Sequence, residues 1–189
     1  MGALPVSRFS VEEYLAGEQT AEFPSEYVDG EIFRVELATL AHSLLSARLA
    51  YLLAAKLGAG PCRPASQVSL RVSASRYLLP DLAVICDKPM TDRGVVVSGA
   101  KVIIEVLSPA TEGYDRGAKF AFYRSIPAFE EYVLVSQDTP LVEVYTRQAD
   151  DSWVYRAYEM IEATAHFHAL GFDIPLTEIY SGIVDPPSE

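Results

Sequence analysis

Three charged residues stand where the surrounding sequence is mostly apolar. Glu105 lies inside the run Val102–Leu107, Asp81 follows Pro80 at the entrance to a second apolar segment, and Lys119 lies among the apolar positions of a predicted helix. Burying an ionised carboxylate without a partner is costly, so Glu105 should be paired, protonated or bound to a metal. Because carboxylate oxygens suit Mg²⁺ and Mn²⁺, Asp81 and Glu105 could hold such an ion.

The chemistry that this group of residues would support is hydrolysis of a phosphate ester. A divalent ion polarises a phosphoryl oxygen and lowers the pKa of a bound water, which then attacks phosphorus. A nearby lysine can position that water or neutralise the charge that develops. Asp81, Glu105 and Lys119 follow one another on strand, strand and helix, an order that can bring them together. Their spacing alone leaves open whether they converge.

Each of the three residues also has a structural interpretation. Glu105 can form a salt bridge in the core or reach solvent at a strand end, and structural ion pairs often occupy such positions. Asp81 can simply make a turn. Lys119 can pair with Asp115 four residues earlier on the same helix.

Other polar residues give weaker signals. His42 opens the apolar face of the longest predicted helix, where a packed histidine is more common than a ligand. Glu26 precedes the turn of a predicted hairpin, and a solvated strand face explains it. His166 and His168 form an H-x-H pair, but the two distant cysteines do not complete a zinc site. The sequence has no glycine-rich phosphate loop and no GxSxG motif.

Helices are predicted where apolar residues recur every three or four positions. Ser10 and Glu13 have the spacing of a capping box, which marks the start of the first helix. Gly58 and Gly60 mark the end of the longest one. The predicted helices are Phe9–Gly17, Leu37–Leu57, Asp115–Ile126 and Pro175–Ile183.

Strands are predicted where apolar residues alternate or form short runs. A hairpin is expected over Ser25–Val35, because Asp29-Gly30 is a strong turn signal. Lys101–Leu107 is a near-continuous apolar run, which is typical of a central strand covered on both faces. The other predicted strands are Val68–Val72, Tyr77–Cys86, Glu131–Val135, Val142–Thr146 and Trp153–Glu159. This mixture predicts an α/β fold, with a mixed sheet flanked by helices, in a single domain over residues 1–189.

The balance of charge bears on the partner. The formal net charge is −11 at pH 7, whereas binding to DNA needs clustered Lys and Arg for the phosphates. Arg116, Arg124, Arg93 and Lys88 could line a groove or could be scattered solvated charges. The last two fall in a predicted polar loop, Asp87–Ser98.

Composition also addresses location. No apolar run approaches the roughly 20 residues that a membrane helix needs, and Met1–Ser10 lacks the pattern of a secretory signal. Cys62 and Cys86 belong to no framework pattern, so we expect reduced thiols in a cytoplasmic protein without a membrane partner.

Several segments, in this order along the chain, resemble motifs of one family. They are Ser25–Glu31, Ala41–Ser43, Tyr77–Cys86 (YLLPDLAVIC), Ile104–Thr111 (IEVLSPAT), Asp115–Arg124 (DRGAKFAFYR), Glu130–Val135 (EEYVLV) and Val142–Tyr145 (VEVY). The chain resembles, over nearly its whole length, the Uma2 family of restriction-endonuclease-like proteins. That resemblance implies a PD-(D/E)xK nuclease core preceded by an N-terminal helix and hairpin.

The resemblance also assigns the catalytic residues. Asp81 matches the motif aspartate and Glu105 the motif glutamate. Leu107 stands where the motif lysine usually lies, and Lys119 on the following helix takes its place, as in variants with a migrated lysine.

Further expectations follow from the resemblance. Glu26 matches an acidic residue that can assist the metal as a third ligand, and His42 matches a position with an auxiliary role. The family implies Mg²⁺ or Mn²⁺ as cofactor, DNA as substrate and a homodimer. Two alternatives stay open: an inactive nuclease-fold scaffold, and a phosphodiesterase that acts on RNA or nucleotides.

Overall fold

Two six-stranded sheets form most of the molecule. The computed structural model describes residues 8–86, 91–92, 95–96 and 99–183. The helices are α1 Val11–Glu18, α2 Leu40–Leu57, α3 (Glu112–Tyr114, Asp115–Lys119 and Phe120–Tyr123 in succession) and α4 Leu176–Tyr180. The strands are β1 Ser25–Val28, β2 Glu31–Arg34, β3 Arg63–Ser66, β4 Leu70–Ser73, β5 Arg76–Leu78, β6 Leu82–Ile85, β7 Thr91–Asp92, β8 Val95–Val96, β9 Ala100–Leu107, β10 Glu131–Ser136, β11 Val142–Arg147, β12 Trp153–Tyr158, β13 Thr164–Phe167 and β14 Phe172–Pro175.

The central sheet has the strand order β12-β11-β10-β9-β6-β3. Strand β9 runs parallel to β10 and antiparallel to β6, so the sheet is mixed, as predicted. One face packs against α2 and α4, and the other against α3. Strand β9 is therefore covered on both sides, which confirms the interpretation of its apolar run.

The first sheet has the order β2-β1-β5-β4-β8-β7 and contains the predicted hairpin. Asp29 (φ 51°) and Gly30 (φ 101°) form its turn, as a two-residue hairpin turn requires. Helix α1 precedes the hairpin, and the Ser10–Glu13 capping box is present. These features confirm the predicted N-terminal half.

Helix α2 begins three residues later than predicted. The side chain of Thr39 accepts a hydrogen bond from the backbone N–H of His42 at 3.2 Å, so Thr39 is the N-cap and Leu40 the first helical residue. Leu45, Leu49 and Leu53 are fully buried against the central sheet. None of the described helices is long and apolar enough to cross a membrane.

The predicted strand Tyr77–Cys86 is two strands in two different sheets. Strand β5 belongs to the first sheet and β6 to the central one. The chain changes sheets at Leu79–Asp81, because Pro80 lacks an N–H for the ladder. This corner brings Asp81 to the entrance of β6, beside β9.

Helix α3 differs from its prediction at both ends and in its middle. It begins at Glu112 and ends at Tyr123, since Ile126 precedes Pro127 and is disfavoured from helical geometry. Residues Asp115–Lys119 form a π-helical turn. Such turns often lie at functional sites.

The prediction that Cys62 and Cys86 are reduced thiols is wrong: they form a disulfide. Arg63 pairs with Ile85 in the antiparallel register of β3 and β6, so the two cysteines that flank this pair face each other. The cysteines therefore no longer support a reducing compartment. The prediction of a loop over Asp87–Ser98 is wrong in part, because the segment contains the short strands β7 and β8 of the first sheet. Lys88 and Arg93 lie outside the described residues.

Candidate active site

Asp81 and Glu105 are locked to each other through their backbones. The backbone N–H of Asp81 donates to Glu105 Oε2 at 3.0 Å. In return, the N–H of Val106 donates to Asp81 Oδ2 at 2.7 Å. The register of β6 against β9, with Leu82 opposite Ile104, sets this arrangement. Asp81 and Glu105, the two carboxylates that the sequence singled out, therefore lie next to each other.

Glu105 is a carboxylate with almost no access to water. Its side chain is 2% exposed, and Oε1 accepts hydrogen bonds from the hydroxyl of Tyr123 at 2.9 Å and from Lys119 Nζ at 2.9 Å. Burial raises the pKa of Glu105 to about 8, and the charge of Lys119 offsets only part of that rise. Additional positive charge at this carboxylate would favour its ionised form.

Lys119 is the cation of the site. Its Nζ lies 2.9 Å from Glu105, 3.4 Å from Glu26 and 3.5 Å from Asp115. Burial opposes the charge on Lys119, but these carboxylates outweigh it and raise its pKa above the ordinary value. The side chain is therefore a permanent ammonium, which can donate hydrogen bonds but does not accept a proton at neutral pH.

Glu26 reaches the same ammonium from the first sheet. Its side chain is buried; Oε1 accepts from the backbone N–H of Leu79 at 2.9 Å, and Oε2 accepts from the Tyr114 hydroxyl at 3.0 Å. Glu26 thus faces Lys119 and the start of α3. Its role as a third metal ligand stays a prediction.

His42, which lies in the first turn of α2, contacts Asp81. Its Nε2 lies 3.1 Å from Asp81 Oδ2. Burial disfavours the imidazolium, but the hydrogen bond and charge of Asp81 outweigh it, so the pKa of His42 is raised. His42 is therefore positioned to hold one oxygen of Asp81 in place.

The donor set fits a divalent cation that is held by few protein ligands. Among the residues that the structure describes, no three His, Cys, Asp or Glu side chains are arranged to hold a metal ion. Mg²⁺ usually takes one or two carboxylates and completes its shell with water and substrate phosphate. Asp81 and Glu105, both hard oxygen donors at adjacent backbones, meet that requirement.

Sequence reasoning did not identify two tyrosines of the site as functional. Tyr123 holds Glu105, and Tyr114 holds Glu26. Tyr123 follows Lys119 by four residues, and that spacing on a packed helix face is the signal that could have revealed it. Asp115, which the sequence paired with Lys119 alone, is buried beside the same ammonium.

The other predicted cations and histidines lie outside this cluster. Arg116 is paired with Glu112 and Glu143, and the guanidinium of Arg124 lies over the ring of Phe120. His166 and His168 contact each other edge to face. His166 also pairs with Asp173 on β14. The described part of the chain thus shows no metal site at the H-x-H pair.

Comparisons with known proteins agree with this fold. The model of the Uma2 family, described as "Putative restriction endonuclease", matches residues 11–177. Two uncharacterized proteins of Synechocystis are similar: slr1290 is 32% identical over 95% of each chain, and sll1609 is 36% identical over 75% of this chain and 82% of that protein. A crystal structure from Anabaena variabilis, "a putative nuclease belonging to DUF820", has a TM-score of 0.75 at 16% identity and covers 94% of this chain and 98% of its own.

Proposed function

This chain belongs to the Uma2 family, and from that membership we propose that it is a divalent-metal-dependent endonuclease that hydrolyses phosphodiester bonds in DNA. One observation carries the proposal: the carboxylates of Asp81 and Glu105 are cross-braced, and Lys119 lies 2.9 Å from Glu105. Burying the charged side chains of Glu105, Lys119 and Glu26 together costs free energy, which supports a functional role for the cluster.

Each residue has a distinct role in this proposal. Asp81 and Glu105 would hold Mg²⁺ or Mn²⁺, with Glu26 as an auxiliary ligand. Such an ion, when bound, would supply the polarisation of a phosphoryl oxygen and a more acidic water. Lys119 donates a hydrogen bond that orients the water and neutralises the charge that develops on the phosphate. Because the neighbouring carboxylates raise its pKa, Lys119 acts here as a hydrogen-bond donor and not as the general base.

Two neighbours position the carboxylates. The hydroxyl of Tyr123 fixes Oε1 of Glu105, while the backbone of Asp81 fixes Oε2. His42 restrains Oδ2 of Asp81. Catalytic geometry must be held within a fraction of an ångström, so such supporting contacts decide whether the site turns over.

An inactive binding or scaffold protein is the second candidate. The observation that favours it is the ion pair between Lys119 and Glu105 at 2.9 Å, because buried ion pairs also occur for purely structural reasons. The net charge of −11 points the same way, because it opposes contact with phosphates.

Cleavage of supercoiled plasmid tests the proposal. We expect nicking that requires Mg²⁺ or Mn²⁺ and that is lost in Asp81→Ala, Glu105→Ala and Lys119→Met. Lys101→Met is the matched control, since Lys101 forms a surface pair with Glu130. No cleavage of DNA would contradict the proposal, and cleavage of RNA or nucleotides instead would reassign the substrate.

A further inference from the structure

Two exposed aromatic side chains lie beside Glu26 at the edge of the candidate site. Tyr114 is 36% exposed, and its hydroxyl donates to Glu26 Oε2 at 3.0 Å. Phe33 is 48% exposed and lies directly opposite Glu26 in the antiparallel pair of β1 and β2. Directly opposite residues have their side chains on the same face of the sheet, with Cβ atoms about 5 Å apart. Both rings, which we call the aromatic pair, therefore border this carboxylate.

The direction of Phe33 follows from the alternation of side chains along the hairpin. Ile32 lies opposite Tyr27, and the ring of Tyr27 stacks on Tyr14 of α1. Ile32 is therefore on the face of the sheet that α1 covers. Because successive side chains of a strand point to opposite faces, Phe33 is on the other face, with Glu26. The exposed ring of Phe33 is thus directed to the side of the hairpin that carries the candidate site.

The ring of Tyr114 is held in position from two sides. Its hydroxyl is bound to Glu26, and Lys119 Nζ lies 5.9 Å from the centre of the ring, within the range of a cation–π interaction. A side chain that is already fixed loses little conformational freedom when a ligand binds. Exposed aromatic rings that are oriented in advance are the groups on which proteins stack nucleobases.

Charge favours a base over a phosphate as the group that meets the aromatic pair. The chain carries −11, and the exposed Glu31 lies two positions before Phe33 on the same face of β2. These negative charges repel a phosphate, whereas a nucleobase is uncharged. Stacking of a base on an aromatic ring does not need a basic surface, and it tolerates any sequence because every base has a π face.

The same two features favour a single strand over a duplex. In a duplex the faces of the bases are covered by neighbouring base pairs, so a base must leave the stack before a protein ring can replace its neighbours. A duplex also carries one negative charge for about every 1.7 Å of its axis, twice the density of one strand. A protein with a net charge of −11 therefore opposes a duplex more strongly than a single strand.

We infer that the candidate site accepts single-stranded DNA, with an unpaired base stacked against Phe33 and Tyr114 and the adjoining phosphate next to Lys119. The inference rests on the proposed function, because it names the form of DNA that reaches the carboxylates of Asp81 and Glu105. Duplex DNA enters the site only where its strands open, and negative supercoiling of a plasmid favours such opening.

Fluorescence anisotropy without divalent ions, where the DNA stays intact, tests the inference independently of cleavage. We expect the wild type to bind a labelled oligodeoxynucleotide at least about tenfold more tightly than the duplex of the same sequence. Phe33→Ala should weaken binding of the single strand about 5- to 150-fold, the range for loss of one stacking ring, and Phe33→Trp should retain it. Ile32→Ala is the matched control, since Ile32 is 39% exposed on the opposite face of the same strand.

An abasic strand of the same length isolates the contribution of the bases. It keeps the phosphates, so Phe33→Ala should leave its binding unchanged. No binding of the normal single strand, equal affinity for strand and duplex, or a strand affinity that Phe33→Ala does not lower would overturn the inference. Cleavage with Mg²⁺, scored separately on gels, reports the proposed function. Cleavage without strand preference would keep that function and reject the inference, whereas strand preference without cleavage would keep the single-strand site and reject hydrolysis.

Discussion

Lys119 is the cation at the centre of the candidate site. Its ammonium compensates the carboxylates of Glu105, Glu26 and Asp115. The sequence revealed Lys119 because a lysine on a packed helix face is unusual. It could not reveal that Glu26, from another sheet and 93 residues away, would reach the same atom.

Replacing Lys119 should lower the stability of the protein, and a bound metal should compensate part of the loss. In Lys119→Met we expect the metal-free protein to lose about 3–5 kcal/mol of unfolding free energy, since buried carboxylates would be left without a cation. Mg²⁺ should restore part of that loss. Denaturant unfolding with and without Mg²⁺ measures both effects. Lys101→Met should cost less than about 1 kcal/mol, because its pair is at the surface. Equal effects in the two variants would contradict this interpretation.

Glu131 is a buried carboxylate outside the candidate site, and its titration gives a second prediction. It is fully buried, its Oε2 accepts from the backbone of Ala169, and burial raises its pKa to about 7. The folded-state value lies above the ordinary 4.5, so Glu131 costs stability that grows as pH rises from about 4.5 to 7.

Glu131→Gln should remove that cost. We expect a gain of up to about 3 kcal/mol in unfolding free energy at pH 8 and little change at pH 5. Thermal melts across pH measure this difference. Glu130→Gln is the control, because the Glu130 side chain is 51% exposed. A gain that is independent of pH would show that Glu131 is not the titrating group.

At the scale of elements, most of the fold could be predicted and the site's geometry could not. The periodicity of α2 and the apolar run of β9 follow from burial on one face and on two faces. The change of sheet at Pro80 and the π-helical turn at Asp115–Lys119 cannot be predicted from such burial patterns. Both depend on how separate elements pack, and no local pattern encodes that.

The disulfide also depends on how separate strands pair, so no local sequence pattern predicts it. Its effect on stability can be tested. Cys62 and Cys86 meet through the register of β3 and β6, and they close a loop with a sequence separation of 24. Closing such a loop stabilises a protein by about 3 kcal/mol, mainly by restricting the unfolded chain.

Reduction should therefore lower the melting temperature of the wild type. The double variant Cys62→Ala, Cys86→Ala should start at the lower melting temperature and show no response to reductant. Calorimetric melts with and without dithiothreitol make the comparison. An unchanged wild-type melt after confirmed reduction would contradict a stabilising role.

At the scale of the whole molecule, charge sets how nucleic acid would be bound. The chain carries −11, and Lys119 and Arg116 are both paired with carboxylates. Asp and Glu outnumber Lys and Arg by 26 to 15, so the field of the whole chain opposes the approach of a duplex. Binding should therefore rely on the metal ion rather than on a basic surface.

We expect weak binding of duplex DNA without divalent ions, with a slope of log K against log salt smaller in magnitude than about 3. Mg²⁺ should strengthen it. Fluorescence anisotropy with Lys119→Met, which we expect not to cleave, gives the slope directly. A steep slope in the absence of metal would show a basic surface that contradicts this view.

A calorimetric titration of Mn²⁺ or Mg²⁺ into the protein at about pH 8.5, above the pKa of Glu105, tests the metal site directly. We expect one binding event that is lost in Asp81→Ala and in Glu105→Ala and is retained in Lys119→Met. Absence of binding to the wild type, repeated with a short DNA duplex present to supply phosphate ligands, would contradict a metal site at these two carboxylates.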